Sequence, residues 1–292
     1  MDTVAQTLVS FLVDRKAQGL SPNTINTIKA YTNELDRFTE FVDPDQDIND
    51  LKATTLREYM LYLKDVRGRN PGGIHIAYRV LRSWMYWWEL ETDGDYKAPI
   101  RKVKPPKVRN VPLDAVPVPD VKRLLTTCDA TFKGIRDRAI ILLLLDTGLR
   151  ATELLNLNKD DIDLDSGVLQ VHNGKGGKSR LAYFQPLTRR ALRKWLKLND
   201  QTALFITPQG TRFLYAGLRS MLRRRGQDLD MKATPHMFRR SFALEHLRQG
   251  TDVFTLSRLM GHSDERILSR YLPLVALDME QAHRRNSPVN LL

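Results

Sequence analysis

Apolar residues recur at near-helical spacing through residues 1–93. A period of about 3.6 residues is typical of helices that bury one face. The pattern predicts four helices, over Val4 to Gln18, from Ser21-Pro22 onward, over Thr54 to Val66 and over Ile74 to about Leu90. Ser21 can cap the second helix and Pro22 suits its first turn. We therefore expect an all-helical domain over residues 1–93.

The fourth helix follows a predicted turn over residues 70–73, Asn-Pro-Gly-Gly. The apolar residues that share one of its faces are Ile76, Val80, Trp84 and Trp87. Exposed tryptophans could stack on nucleic-acid bases, and Trp88 lies next to this face. Aromatic residues at helical spacing more often pack in a core, so we interpret Trp84 and Trp87 as core residues.

Residues 94–115 interrupt the helical pattern with repeated prolines and predict a linker between two domains. The segment is basic, and its cations include Arg101, Lys102, Lys104, Lys107 and Arg109. These side chains favour a linker that crosses a phosphate backbone. A solvated linker without a DNA-binding role remains an alternative.

The pattern beyond Pro119 is mixed. It predicts helices over Asp120–Cys128, Gly134–Leu145 and Thr152–Leu157, strands over Gly167–His172 and Arg180–Phe184, and helices again from Thr188. Residues 116–292 should thus form an α+β domain. The whole chain is expected to be mostly α with a small β-sheet.

The net charge of the chain indicates what kind of partner it binds. The formal net charge is +12 with a pI near 9.8, and residues 116–292 alone carry +11, whereas residues 1–51 carry −5. Nucleic acid is therefore the first partner to consider, although a basic protein without such a partner stays open. Cys128 is the single cysteine, which excludes an intrachain disulfide.

The N-terminal residues and the lengths of the apolar runs predict the cellular compartment of the protein. The longest apolar run, residues 139–145, is too short to cross a membrane and predicts a buried helix. The first residues do not form a basic stretch followed by an apolar one, as a secretion signal would. We expect a cytoplasmic protein with no membrane partner.

Two short segments in the first half of the second domain could carry chemistry. Arg150 follows a glycine turn at a predicted helix start, where a guanidinium adds to the attraction of the helix for an anion. An Arg150–Glu153 pair that only caps the helix is equally consistent. Lys175 lies in the turn Gly174-Lys-Gly-Gly-Lys178, which lacks the spacing of a nucleotide-binding loop. A solvated turn lysine is the alternative there.

Two further segments lie near the C-terminus. His236 and Arg239 are three residues apart and share one side of a predicted helix, as residues at a phosphoryl centre or in a surface charge pair would. His262 follows a glycine, and Tyr271 comes nine residues later. Alone, Tyr271 would be interpreted as a half-buried aromatic residue. His246 lies among apolar residues and is interpreted as a core histidine.

Together these residues indicate a function far more specifically than any one of them does alone. Their order is Arg150, Lys175, His236, Arg239, His262, Tyr271. It resembles the signature of the tyrosine recombinase and integrase family, which includes phage-type integrases and Xer recombinases. The stretch from Ser21 through Phe38 looks like that family's core-binding domain. The resemblance covers nearly the whole chain and implies a helical, SAM-like core-binding domain followed by a catalytic domain.

The resemblance also implies a reaction and a role for each residue. Tyr271 would attack a DNA phosphate while Arg150 and Arg239 hold its oxygens. Lys175 would protonate the leaving oxygen, His236 would accept or position a proton, and His262 would donate a hydrogen bond. The expected product is a 3′-phosphotyrosyl link, formed without a cofactor or a metal. The partners implied are double-stranded DNA with an inverted-repeat core site, a homotetramer on DNA and a possible paralogous recombinase.

One position departs from the family pattern. Arg240 follows the second signature arginine, where many relatives have a histidine. We expect it to alter local packing or to contact a phosphate, since every catalytic position carries a competent residue. The apolar residues after Tyr271 predict a tail helix that docks on a neighbouring subunit or on its own domain.

Two other functions compete with the recombinase. A DNA-binding regulator of the same fold would lack the chemistry, and a type IB-like topoisomerase would use similar residues as a monomer. The chain begins at the core-binding domain, which favours a recombinase of simple sites over an integrase that needs arm sites. Dimer resolution, plasmid resolution, transposition and phage-type integration remain open.

Overall fold

The structure, a computed structural model, describes residues 2–18, 22–107, 114–172, 179–261, 283–284 and 287–291, with the backbone alone for residues 22–30. The chain divides into two units, Met1–Val111 and Pro112–Leu292. Each unit is described by itself below.

The N-terminal unit contains the helices that the sequence predicts. They are α1 (Val4–Ala17), α2 (Pro22–Thr39), α3 (Ala53–Asp65) and α4 (Pro71–Glu91). A capping box starts α1: Thr3 Oγ1 accepts a hydrogen bond from the Gln6 backbone N–H at 3.2 Å, and Gln6 Oε1 accepts one from the Thr3 N–H at 3.0 Å. The helix starts therefore follow local capping chemistry.

The predicted turn at residues 70–73 is wrong, because these residues begin α4. Asn70 is the N-cap, and its Oδ1 accepts a hydrogen bond from the Gly73 N–H at 2.8 Å. Pro71 takes the first helical position, where no N–H is needed. The two glycines are tolerated in the first turn because the cap and the proline fix its geometry.

The tryptophans of α4 are core residues, as predicted. Trp84 is fully buried and Trp87 is nearly so. The Trp84 ring lies 6.0 Å from that of Phe38 on α2, and the Trp87 ring lies 5.5 Å from that of Phe11 on α1. Ile76 does not belong to this face, because half of it is exposed. At this end of the helix the buried positions are Ile74, Ala77, Tyr78 and Leu81.

The predicted linker over residues 94–115 is wrong for its first half. Residues Pro99–Lys102 form a 3₁₀ turn, and Ile100 and Val103 are buried in the core of the N-terminal unit. Tyr78 Oη donates a hydrogen bond to the Val103 carbonyl at 3.0 Å. Apolar residues between the prolines supply this packing, so the first of these prolines does not mark the start of a free linker.

The C-terminal unit is built around one buried helix. Its helices are α5 (Val118–Thr126), α6 (Phe132–Thr147), α7 (Ala151–Asn156), α8 (Pro186–Leu196), α9 (Tyr215–Gln227), α10 (Pro235–Arg248) and α11 (Val253–Met260). Helix α6 packs against α8 and α10, and Ile140, Leu143 and Leu144 are fully buried. The prediction that the apolar run forms a buried helix is confirmed.

A small antiparallel sheet lies beside these helices, in the order β1-β2-β3. The strands are β1 (Ile162–Asp163), β2 (Val168–Val171) and β3 (Arg180–Tyr183). Val171 pairs with Arg180 across the β2–β3 ladder. Both predicted strands are confirmed, while the two-residue β1 is too short to show a pattern in the sequence.

The prediction of helix throughout the remainder is wrong for residues 200–213. This stretch forms isolated bridges, Asn158 with Ala203 and Ile206 with Arg212. Its β-branched and aromatic residues favour extended backbone, and a Pro-Gln-Gly turn prevents a helix. The described chain is mostly helical with a small sheet, as predicted. None of the helices described is long and apolar enough to span a membrane.

Replacing Trp84 tests the core assignment. We expect Trp84→Ala to lower the free energy of unfolding by about 3–5 kcal/mol, because it removes a fully buried ring. Urea unfolding measures this. As a control on the same helix, Ile76→Ala should change stability by no more than about 0.5 kcal/mol. A Trp84→Ala protein of unchanged stability would contradict the core assignment.

Candidate active site

A glycine turn after α6 presents the first signature arginine. Gly148 ends α6 with φ at +58°, a left-handed conformation that favours glycine. A Cβ at this position would overlap the ring of Phe242. The following residue, Leu149, is fully buried and anchors the turn. Arg150 is then the N-cap residue of α7.

Arg150 is held by one carboxylate and one carbonyl. Its Nη1 donates to Glu153 Oε1 at 2.6 Å, and its backbone N–H donates to Glu153 Oε2 at 2.8 Å. Its Nη2 donates to the carbonyl oxygen of Gly261 at 3.0 Å. The Arg150–Glu153 pair that the sequence offered as an alternative is present. It does not exclude a phosphate contact, because 30% of the Arg150 side chain stays exposed.

The second signature arginine approaches the same turn from α10. The Arg239 side chain is only 4% exposed. Its Nη1 donates to the Gly148 carbonyl and its Nη2 donates to the Met260 carbonyl at 2.7 Å. Arg239 Nη1 also lies 4.0 Å from Glu153 Oε2. The fold thus brings the guanidinium groups of Arg150 and Arg239 to one carboxylate.

His236 lies one helical turn before Arg239, and part of its side chain is exposed at the surface while the rest is covered. Thr234 caps the helix and Pro235 takes its first position, which sets where His236 enters α10. Partial burial of the ring and the guanidinium groups of Arg240, Arg239 and Arg150 lower the pKa of His236 below its ordinary value. The imidazole is therefore neutral near pH 7 and can accept a proton.

The shared carboxylate and a third arginine complete this cluster. Glu153 is 5% exposed, and its Oε2 also accepts a hydrogen bond from Arg180 Nη2 at 2.9 Å. Burial raises the pKa of the Glu153 carboxyl, but Arg180 and the hydrogen bonds from Arg150 outweigh it, so the pKa lies below its ordinary value. The carboxylate is therefore charged among three arginines.

Sequence reasoning missed the role of Glu153 and did not select Arg180. The spacing of Glu153 from Arg150 signalled only a local pair. Arg180 gave no signal beyond its position at the start of a predicted strand. Its partnership with Glu153 depends on how the sheet packs beside α7, which is a tertiary feature.

The remaining catalytic candidates lie outside the described residues. They are Lys175, His262 and Tyr271. The last described residue before His262 is Gly261, which ends α11 with φ at +62°. The roles of all three residues stay predictions.

The predicted DNA-binding cations differ in their surroundings. Lys102, Lys104 and Lys107 are exposed, whereas Arg109 lies outside the described residues. Arg101 donates two hydrogen bonds of 3.0 Å to the carboxylate of Glu89. Its charge is thus compensated by Glu89, and contact of Arg101 with DNA stays a prediction. DNA contact by the lysines stays a prediction.

Arg240 and His246 have structural partners. Arg240 Nη1 donates to the Asp114 carbonyl at 3.3 Å, and the expected contact of Arg240 with a phosphate stays a prediction. The ring of His246 is half-buried, 4.3 Å from that of Phe242, and its Nδ1 lies 3.1 Å from Thr251 Oγ1. These contacts agree with the interpretation of His246 as a structural residue.

Solved structures share this fold. The Tn1549 transposon integrase in complex with transposon right end DNA superposes with a TM-score of 0.78, at 19% identity over 96% of this chain and 99% of that one. A lambda integrase dimer bound to a core site gives a TM-score of 0.75, at 14% identity over 92% and 77%. The fold is therefore that of the tyrosine recombinases and integrases.

Residues 116–276 match the phage integrase family, and the chain belongs to that family. It is 30% identical to the tyrosine recombinase XerA of Thermococcus kodakarensis, over 92% of this chain and 90% of that protein. It is 32% identical to XerA of Saccharolobus solfataricus, over 88% and 85%. The predicted Xer-like tyrosine recombinase, an enzyme that breaks and rejoins DNA, is confirmed.

Replacing Glu153 tests the shared carboxylate. Glu153→Gln should lower the free energy of unfolding by roughly 3 kcal/mol at pH 7, because Arg180 would then be buried without a counter-charge. The pKa of Glu153 is depressed in the folded state, so its stabilisation is complete above the ordinary value of 4.5 and is lost as pH falls below it. The stability difference between wild type and variant should therefore narrow in acid.

Urea unfolding between pH 7 and pH 3.5 measures both effects. Asp120→Asn is the control, because it removes an exposed pair with Arg123 and should cost less than about 1 kcal/mol. A Glu153→Gln protein as stable as wild type at pH 7 would rule out the shared carboxylate as a stabilising group.

Proposed function

We propose that this recombinase cleaves and rejoins DNA at a specific site through a 3′-phosphotyrosyl intermediate on Tyr271. The observation that carries the proposal is the convergence of Arg150 and Arg239 on Glu153. Two guanidinium groups held at one place can bind the non-bridging oxygens of a phosphate and stabilise the charge that develops on them. Because both arginines stay charged at every relevant pH, this binding does not depend on their protonation.

His236 supports the first proton transfer. The phenol of Tyr271 has an ordinary pKa of about 10 and attacks as the phenolate, so it needs a base. A neutral imidazole whose pKa is lowered can accept or position that proton. The Tyr271 oxygen then bonds to phosphorus as the bond from phosphorus to the 5′ oxygen breaks.

The leaving 5′ oxygen needs a proton. Lys175 donates a proton to the 5′ oxygen, which departs as a hydroxyl, and His262 donates a hydrogen bond to the phosphate. Attack by a 5′ hydroxyl on the phosphotyrosine reverses the steps and rejoins the strand. Each step exchanges one phosphate ester for another, so the proposed reaction uses no nucleotide cofactor and no metal.

The proposed partner is double-stranded DNA with an inverted-repeat core site. Several solved relatives are complexes with DNA, such as the Tn1549 integrase with transposon right end DNA and XerH bound to its difH substrate. Exposed cations at Lys102, Lys104 and Lys107 supply phosphate contacts. We propose that four subunits, with or without a paralogous partner, exchange strands through a Holliday junction in the cytoplasm.

A nicked suicide substrate carrying the core site tests the nucleophile. The wild-type protein should form a protein–DNA adduct that survives SDS, and Tyr271→Phe should form none, because it removes the attacking oxygen. Tyr183→Phe is the matched control, since that residue is 52% exposed on β3 and should leave adduct formation unchanged. Gel electrophoresis after SDS treatment measures the adduct.

The same experiment separates the competing functions. An adduct that persists in Tyr271→Phe would contradict the assignment of the nucleophile. Tight binding of the site by wild type without any adduct would favour a DNA-binding regulator. Relaxation of supercoiled plasmids that lack the site would favour a topoisomerase.

The proton acceptor makes a separate prediction. The C2 proton of His236, followed by NMR in the free protein, should titrate with a midpoint below the ordinary value of 6.5. His236→Gln identifies the resonance, and this variant should also cleave the suicide substrate roughly 100-fold more slowly. A midpoint at or above 6.5 would contradict the neutral imidazole.

A further inference from the structure

A third arginine in the cluster has no role in the reaction described above. Arg180 is the first residue of β3, and its backbone is fixed by pairing with Val171. Its Nη2 donates to Glu153 Oε2 at 2.9 Å. This is the same oxygen that accepts the backbone N–H of Arg150.

Arg180 is too enclosed to bind a phosphate directly. Its side chain is 13% exposed, compared with 30% for Arg150. Its Nε and Nη1 are buried and have no hydrogen-bond partner among the residues that the structure describes. Gly261 packs against this side of the guanidinium so closely that a Cβ there would overlap Nε.

Among the described residues, Arg180 contacts both of the groups that hold Arg150. Glu153 Oε1 and the Gly261 carbonyl accept the hydrogen bonds from the two terminal nitrogens of the Arg150 guanidinium. By binding Glu153 Oε2, Arg180 fixes the rotation of the carboxylate and leaves Oε1 facing Arg150. By packing on Gly261, it fixes the carbonyl on the other side.

We propose that Arg180 is a positioning residue that orients Arg150 for DNA cleavage through the Glu153 carboxylate. The inference rests on the proposed function, because it assigns Arg180 to the same reaction. A misplacement of about 1 Å in a group that contacts the reacting atoms can slow a reaction roughly 100-fold. Loss of Arg180 should therefore slow cleavage while DNA binding is kept.

The test compares Arg180→Gln, Arg180→Lys and the control Arg123→Gln. Arg123 is an exposed arginine on α5 and pairs only with Asp120 among the described residues, so its loss also removes one positive charge. The measurements are the single-turnover rate of adduct formation at saturating suicide substrate and the Kd for the same DNA. Circular dichroism melting shows that each variant is folded.

We expect Arg180→Gln to slow adduct formation roughly 100-fold with Kd within about twofold of wild type. Arg180→Lys keeps a cation beside Glu153 and should recover part of the rate. Arg123→Gln should match wild type. If Arg180→Gln does not fold, the rate and Kd of Arg180→Lys are compared with those of wild type instead.

A double variant distinguishes positioning from a general loss of packing. If Arg180 acts through Glu153, then Arg180→Lys combined with Glu153→Gln should be no slower than Glu153→Gln alone. Additive losses, or Arg180 variants that cleave at the wild-type rate, would overturn the inference. Absence of an adduct with wild type would instead refute the proposed function, and the inference would fall with it.

Discussion

The Glu153 carboxylate is the group on which the rest of the site depends. It is almost fully buried. Its oxygens accept hydrogen bonds from the Arg150 side chain, the Arg150 backbone N–H and the Arg180 side chain. Arg239 Nη1 lies 4.0 Å from Oε2. A buried carboxylate is stable only when its charge is compensated and its oxygens are hydrogen-bonded. Conversely, cations crowded to bind a phosphate repel one another while no DNA is bound. One carboxylate meets both requirements and holds the arginines in place before the substrate arrives.

Backbone carbonyls do the rest of the positioning. The carbonyls of Gly148, Met260 and Gly261 accept hydrogen bonds from Arg150 and Arg239. They are free to do so because they lie at the ends of α6 and α11, where carbonyls lack partners within the helix. Both glycines have positive φ, and neither leaves space for a Cβ. The ends of these two helices therefore position the guanidinium groups of Arg150 and Arg239.

The sequence predicted those parts of the site that depend on spacing along the chain. Arg150, His236 and Arg239 could be identified because a helix turn or a glycine turn places each of them. Arg180 could not, because its contact with Glu153 arises from the packing of β3 beside α7. The same difference between local spacing and tertiary packing explains why the linker prediction was wrong for its first half. The prolines of residues 94–115 were visible in the sequence, but the burial of Ile100 was not, because it depends on contacts far along the chain.

The proposed attack of Tyr271 on a phosphate held by Arg150 and Arg239 leaves a covalent product that can be identified. The most direct measurement is to isolate the covalent complex formed on a suicide substrate, digest both the protein and the DNA, and sequence the modified peptide by tandem mass spectrometry. We expect a nucleotide joined through its 3′ phosphate to the Tyr271 oxygen. A nucleotide on any other residue, or one joined through its 5′ phosphate, would contradict it.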